Sequence, residues 1–242
     1  MRAAEIRRMT EVEERHWWFR EKRRLLAREL RGLGPAGRAL DIGAAGGGNS
    51  RVLLEHGWRT VVADLSETAV QIARERGLDA HRADARELPW EDGSFDLVTA
   101  FEILEHIEED HLAAAEILRV LRPGGTALLT VPADMRLWSA HDEAVDHVRR
   151  YDRAGLSAVL TGAGLVIDEL YSWNVLLRPL VALHRRRSTS SDIDAPPPAP
   201  INALFGGLVA AERYLPVRSL SGVSLIVRAH RPTAPHPRVA TA

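Results

Sequence analysis

The stretch DIGAAGGGNS, residues 41–50, lies between a short apolar run, RALDIG, and a segment with helical spacing. A glycine-rich turn at that place lets a ligand lie against bare backbone at the carboxyl edge of a sheet. Such turns are common and say little alone. The informative residue is Asp41, placed ahead of the glycines. A dinucleotide would set its pyrophosphate against this turn, where a carboxylate repels it. A cationic ligand is favoured instead, which sets a dehydrogenase aside. The expected binding turn is Asp41, Gly43, Ala44, Ala45, Gly46 and Gly47.

Further β-type runs follow: TVVADL, LDAHRAD, FDLVTAF and TALLTVP. Between them lie helical segments at roughly 48–56, 67–76 and 108–121, the last ending in the turn RPGG. Strands that alternate with helices imply right-handed crossovers and a parallel sheet covered on both faces. A helix over 153–163 and a strand at VIDELYSW come next, and GVSLIVRAH, 222–230, reads as the last strand. Ahead of the first strand, Ile6, Met9, Trp17, Trp18, Leu25, Leu26 and Leu30 predict one or two helices. The expected division is an N-terminal helical cap (1–34), a core (35–175), an insertion (176–221) that lids the site or binds a surface, the last core strand (222–232) and a disordered tail (233–242).

Two more acids end successive strands. Asp64 closes the second, where a carboxylate can accept both hydroxyls of a ribose, and Asp84 closes the third, within reach of an adenine amino group. Three acids at strand ends after a glycine turn fit S-adenosylmethionine, which carries a sulfonium, an ammonium and no phosphate.

DIGAAGGG, Asp64, Asp84, FDLVTAFEILEH and LRPGG together resemble the class I S-adenosylmethionine-dependent methyltransferases over about residues 35–175. The resemblance implies a Rossmann-like, mostly parallel sheet of seven strands with the last antiparallel, and extends the cofactor contacts to Leu65, Ala85 and Phe101. Ala45 stands where that family commonly has the middle glycine. HWWF near the start and WSAHDEAVDHVRRY resemble a bacterial group associated with small, lipid-linked or sugar-linked acceptors.

FEILEHIEED, 101–110, poses the chemical question. If 102–107 begins a helix, Glu102, Glu105 and His106 share one face. Two carboxylates and an imidazole suit a divalent ion such as Mg or Zn. The ubiquinone-type O-methyltransferases and small-RNA 2′-O-methyltransferases carry a similar Glu-x-x-Glu-His, completed by a histidine after the fifth strand, and His147 occupies the matching region. The other reading is an ordinary helix start, where acids are favoured by the dipole. Without a metal, His106 or His147 is a candidate general base. The polar, aromatic segment 136–156 adds Trp138, His141, Asp142, Arg149, Arg150 and Tyr151 as acceptor-side candidates, with His141 and Tyr151 joining the two histidines as catalytic candidates. Trp17 and Trp18 either lid the pocket or pack the N-terminal helix.

The totals constrain the rest. The chain has 242 residues, 45% hydrophobic and 27% charged, with a formal net charge of −1, no cysteine and a single lysine, Lys22. Thiol, disulfide and Schiff-base chemistry are set aside, and nothing argues for a nucleic-acid partner. No apolar run reaches the ~18–20 residues of a membrane span, so the cytoplasm is the default location. The apolar segments of 176–215 and the run Arg185–Arg187 offer a peripheral membrane contact as an alternative. The expected function is methyl transfer to a hydroxyl, less readily an amine, of a small or lipid- or sugar-linked acceptor. The competing class is a non-catalytic cofactor-binding or assembly subunit.

Overall fold

The computed structural model describes residues 3–186 and 196–233. Most of the expected disordered tail, much of the Ser/Pro-rich loop and Arg187 lie outside these residues. A single sheet holds β1 (Arg38–Ile42), β2 (Arg59–Asp64), β3 (Asp79–Arg82), β4 (Phe95–Phe101), β5 (Leu121–Pro132), β6 (Val166–Trp173) and β7 (Ser224–His230). Their spatial order is β3-β2-β1-β4-β5-β7-β6. The first five are mutually parallel, and β7 is antiparallel to both β5 and β6. The last strand therefore fills a slot inside the sheet rather than an edge.

The central strands are apolar on both sides because helices cover both faces. α5 (Asp110–Val120) and α7 (Arg153–Ala163) lie on one face over Leu40, Val98, Ala127, Leu129 and Val227. α3 (Gly48–Glu55) lies on the other, where Leu53 packs with Leu26, Leu97 and Leu128. The strand order reverses at β1, whose neighbours are β2 and β4, and the crevice beyond their carboxyl ends is the natural ligand site. α4 (Glu67–Glu75) follows β2 and is capped by Ser66.

Two departures from the sequence reading concern connections. RPGG belongs to the start of β5: Leu121 already pairs with Phe95, so α5 passes straight into the strand. FEILEH does not begin a helix. Glu102 has a left-handed φ of 56°, only Leu104–His106 form a 3-10 turn, and α5 starts at Asp110. The cause is the sheet, since the Glu102 N–H still donates to the Thr130 carbonyl at 2.8 Å and stays tied to β5.

The N-terminal helices are α1 (Ala3–Val12) and α2 (Trp17–Arg31). His16 caps α2 by accepting the Trp18 N–H at 3.2 Å. After β6 come α8 (Arg178–Arg185) and α9 (Ala199–Ala211). α9 packs on α2, with the Phe205 ring edge-on to Trp17 at 5.8 Å, and both join a cluster with Leu25, Tyr171, Trp173 and Ile226. α6 (Ala140–Ala144) is a short turn closed by a capping box between Ser139 and Asp142.

Candidate functional site

A cavity of about 1230 Å³ runs from the β1–α3 turn, past the end of β4, to α8 and α9. At one end it is walled by Gly43, Ala44, Ala45, Asp64, Asp84 and Ala85, and at the other by Leu177, Leu180, Val181 and Phe205.

The turn is built by strain and by packing. Gly43 (φ 69°) donates its N–H to Ala63 O at 2.8 Å, and Ile103 occupies the space a Cβ would need. Ala45 takes a φ of 47°, a left-handed conformation that disfavours any side chain, and its N–H donates to Asp64 Oδ2 at 3.1 Å. Gly48 and Asn49 also line the cavity, which the sequence reading missed. Gly46 and Gly47 correct that reading. Among the described residues neither lines the cavity: Gly46 faces Thr10 and Arg76, and Gly47 packs against Leu78.

Asp41 is a second correction. Its side chain is 1% exposed and turned into the fold, where it accepts hydrogen bonds of 2.6 Å from both Ser50 and Thr99. Burial pushes its carboxyl up to about 6, against the pull of those two hydroxyls. It braces the turn from beneath and does not face the cavity. Asp64 does face it. Asp64 also accepts the Ser66 N–H at 2.8 Å, and burial pushes its carboxyl up. Leu65 and Phe101 line the wall. Asp84 reaches the cavity, but Arg86 holds both of its oxygens and lowers its carboxyl, while Arg86 in turn binds Glu109. Arg86 is therefore a wall residue that the sequence did not announce.

Beyond β4, ionisable groups crowd together. Glu102 points toward α2 and accepts from Lys22 Nζ and Thr130 Oγ1, each at 3.0 Å. Burial pushes its carboxyl up, but the Lys22 charge and hydrogen bond outweigh this and hold it below the usual range. Glu105, His106 and His147 place ligand atoms within 4.8 Å of one another, and Glu102 is outside this trio. The expected four-residue site reduces to three because Glu102, set in a left-handed conformation, turns to Lys22 and does not share a helix face with Glu105 and His106.

Glu105 is fully buried, and neither oxygen completes a hydrogen bond. Burial and the neighbouring Glu102 charge push its carboxyl well above the usual range. His106 donates Nδ1–H to the Asp146 carbonyl at 3.1 Å, and burial followed by the nearby His147 lowers it to about 4. His147 sets Nδ1 against Asp142 Oδ1 at 2.9 Å, with Nε2 3.8 Å from Glu105. The two imidazoles stand edge to face, 4.7 Å apart. Each histidine thus ties one nitrogen and keeps Nε2 for the trio. Asp142 is fully buried and also binds Arg150 Nε at 2.8 Å. His141 lines the cavity, its ring 6.0 Å from that of His147.

Tyr151 is the third correction. Its hydroxyl is buried and donates to Asp110 at 2.7 Å, and burial pushes it up, away from any acid–base role. Arg149 is likewise taken by Asp110. Both fasten the segment after β5 to α5. Trp17 and Trp18 do two things at once: Trp17 is buried in the α2–α9 packing, and both line the cavity.

The trio fits a divalent ion in donor chemistry. It offers one carboxylate with orphaned oxygens and two imidazole nitrogens, and three protein ligands leave a coordination position open. The cofactor end fits a cationic nucleoside through its bare Gly43 turn and the carboxylate of Asp64.

Comparison with known proteins bears on the family and the fold. Residues 40–129 match the model of a methyltransferase domain. The demethylmenaquinone methyltransferase of Clavibacter sepedonicus is 30% identical over 193 residues, covering 67% of this chain and 78% of that protein. The ubiquinone biosynthesis O-methyltransferase of Aromatoleum aromaticum is 35% identical over 139 residues, covering 50% of this chain and 59% of that one. The chain spans less than two thirds of several other curated relatives it matches. Among solved structures, a methyltransferase in complex with the Trm112 methyltransferase activator of Haloferax volcanii superposes with a TM-score of 0.66 at 22% identity, covering 96% of each chain, a likeness of fold.

Proposed function

The chain belongs to the S-adenosylmethionine-dependent methyltransferases, and from that premise we propose that it methylates a hydroxyl of a small or lipid-linked acceptor. The observation that carries this reading is one cavity that runs from the Asp64–Gly43 end past His106 and His147, behind which Glu105 is buried, to an apolar mouth. Asp64 holds the ribose hydroxyls, Ala85 and Arg86 flank the adenine, and the Gly43–Ala45 backbone faces the methionine part. The bound cosubstrate supplies an electrophilic methyl group.

This chain's own residues must align the acceptor and take its proton. Alignment alone is worth up to ~7–11 kcal/mol of barrier. His147 is the proton acceptor in this reading, because Asp142 fixes its Nδ1–H tautomer and leaves Nε2 toward the cavity. The trio supports a second reading of the same step. If Glu105, His106 and His147 hold a divalent ion, that ion lowers the pKa of the acceptor hydroxyl, and the orphaned Glu105 oxygens favour this version. Exhaustive chelation separates the two: full activity afterwards rules out the metal.

The lipid-linked class rests on the mouth. Leu180, Leu183 and Leu204 on α8 and α9 are each about half exposed (48%, 49% and 58%), and Arg186 and Arg213 are exposed as well. Among the described residues, no helix is long and apolar enough to cross a membrane. This face suits a peripheral contact with an anionic lipid surface. Protein that stays in the supernatant with anionic vesicles at low salt refutes the contact.

The test of the whole reading is a mass-shift screen of phenolic, quinol and lipid-linked alcohol acceptors with labelled cosubstrate. Addition of one methyl to an oxygen is expected. Wild-type protein that binds neither S-adenosylmethionine nor its demethylated product in calorimetry refutes it, and methylation of amines alone refutes the choice of oxygen.

A further inference from the structure

Lys22, the only lysine of the chain, is buried in the cavity wall beside Glu102, the residue that follows β4. Its ammonium lies 3.0 Å from Glu102 and 3.5 Å from the centre of the Trp18 ring. Trp18 and Glu102 line the same cavity. An aromatic face and a carboxylate around one point are the two elements that recognise an organic cation. Here they are occupied by a cation of the chain itself. Glu102 is set in that place by an unfavourable backbone conformation, which the surrounding structure holds through the Thr130 carbonyl and hydroxyl.

We infer that Lys22 is a selectivity residue, filling a Trp18–Glu102 cation site so that the reaction centre presents no unbalanced negative charge to a cationic acceptor or to the sulfonium. This rests on the methyltransferase reading and adds to it. A free Glu102 beside the reaction centre would favour an ammonium acceptor and would hold the sulfonium substrate more tightly than its neutral thioether product. With Lys22 in place the pair is neutral, so the acceptor atom that fits is uncharged or anionic, as an oxygen is. Lys22 acts through Glu102 and is a positioning residue in this account.

The difference in charge between S-adenosylmethionine and S-adenosylhomocysteine makes the pair a built-in probe. Calorimetry gives the ratio of their affinities for the wild type and for Lys22→Met, Lys22→Arg and Glu102→Gln. A unit charge several ångströms away at an effective dielectric near 20 is enough for a change of about tenfold or more. Lys22→Met should shift the ratio about tenfold toward S-adenosylmethionine. Glu102→Gln, which leaves the ammonium unbalanced and keeps an acceptor for it, should shift the ratio the opposite way. Lys22→Arg should restore the wild-type ratio. Loss of packing alone would weaken both ligands equally and leave the ratio unmoved. Should Lys22→Met fail to fold, the Glu102→Gln shift still decides. An unchanged ratio in a folded Lys22→Met or in Glu102→Gln, or shifts of the same sign in both, overturns the inference. Failure of the wild type to bind either ligand is a different result, which removes the methyltransferase reading and this inference with it.

Discussion

Replacing Glu105 with glutamine should make the protein more stable. Glu105 is fully buried against the ionised Glu102, to which it can donate a hydrogen bond only while it keeps its proton, and once ionised it is left without a partner. A buried polar group left unsatisfied costs roughly 1–3 kcal/mol. Glutamine has nearly the same shape, cannot ionise and can donate to the Glu102 carboxylate. Taking about 2 kcal/mol and ~2–4 °C per kcal/mol for a chain of this size gives a rise in Tm of about 4–8 °C. The pH dependence has a fixed sign. The folded-state pKa of Glu105 is raised, so its contribution is fully present below the ordinary glutamate range and is lost as pH rises through the raised value. The variant lacks that loss, and its advantage should widen as pH rises above the ordinary glutamate range. Thermal unfolding in chelator, which keeps divalent ions off the trio, is the assay. A variant that melts at or below the wild type at the higher pH, or a difference that does not grow with pH, refutes the reasoning. If Glu105 works in the reaction, the same variant should lose activity as it gains stability.

Other expectations can be checked as directly. Asp64→Ala should weaken S-adenosylmethionine binding by ~1.5–3 kcal/mol, and calorimetry that finds the affinity unchanged removes Asp64 from the ribose. Ala45→Gly should relieve the left-handed strain at φ 47° and raise stability by ~0.5–1 kcal/mol after the entropy of the extra glycine is counted; a lower denaturation midpoint contradicts this. His16 and His106 are held at about 4, chiefly by burial, so the unfolded chain takes up protons that the fold refuses between the usual imidazole range and that value. Stability should fall over this interval by up to about 3 kcal/mol for each, while Asp41, raised to about 6, works in the opposite direction as pH falls. His16→Asn, which keeps a good helix cap, should flatten the acid loss, and an identical slope in the variant counts against His16 as its source.

The elements legible in the sequence were those written in local pattern. The helix over 153–163 and the strand VIDELYSW stand where their periodicity puts them, and the acids after β2 and β3 are at strand ends because the strands are short and bounded by polar residues. What could not be read was set by partners far along the chain. The turn at Glu102 depends on the Thr130 carbonyl, the burial of Tyr151 on Asp110, and the inward rotation of Asp41 on Thr99. A polar, aromatic run such as HVRRY reads as a site whether its side chains face a ligand or another helix. Lys22 carried one usable signal: a lone lysine in an arginine-rich chain, four residues after a tryptophan on one helix face.

β6 and β7 meet at a rung where Trp173 pairs with Ser224, and the Val223 N–H donates to the Trp173 carbonyl at 3.1 Å. The described residues between, 174–186 and 196–223, form an excursion from the sheet whose two ends are neighbours. Because the ends are already neighbours, the loop-closure entropy varies only slowly with the length of this excursion, so its replacement is limited by the packing of Leu177, Phe205 and Val209 against Trp17, Tyr171 and Ile226, which a substitute must reproduce. The excursion carries α8 and α9, and with them the apolar mouth, whereas Asp64, the Gly43 turn and the Glu105 trio sit on the sheet's own connections. The molecule is thus divided like a tool with a fixed handle and an exchangeable head. Transplanting the 174–223 segment of a relative should transfer the shape of the mouth without rebuilding the reaction centre, and the same freedom is open to mutation and selection in nature.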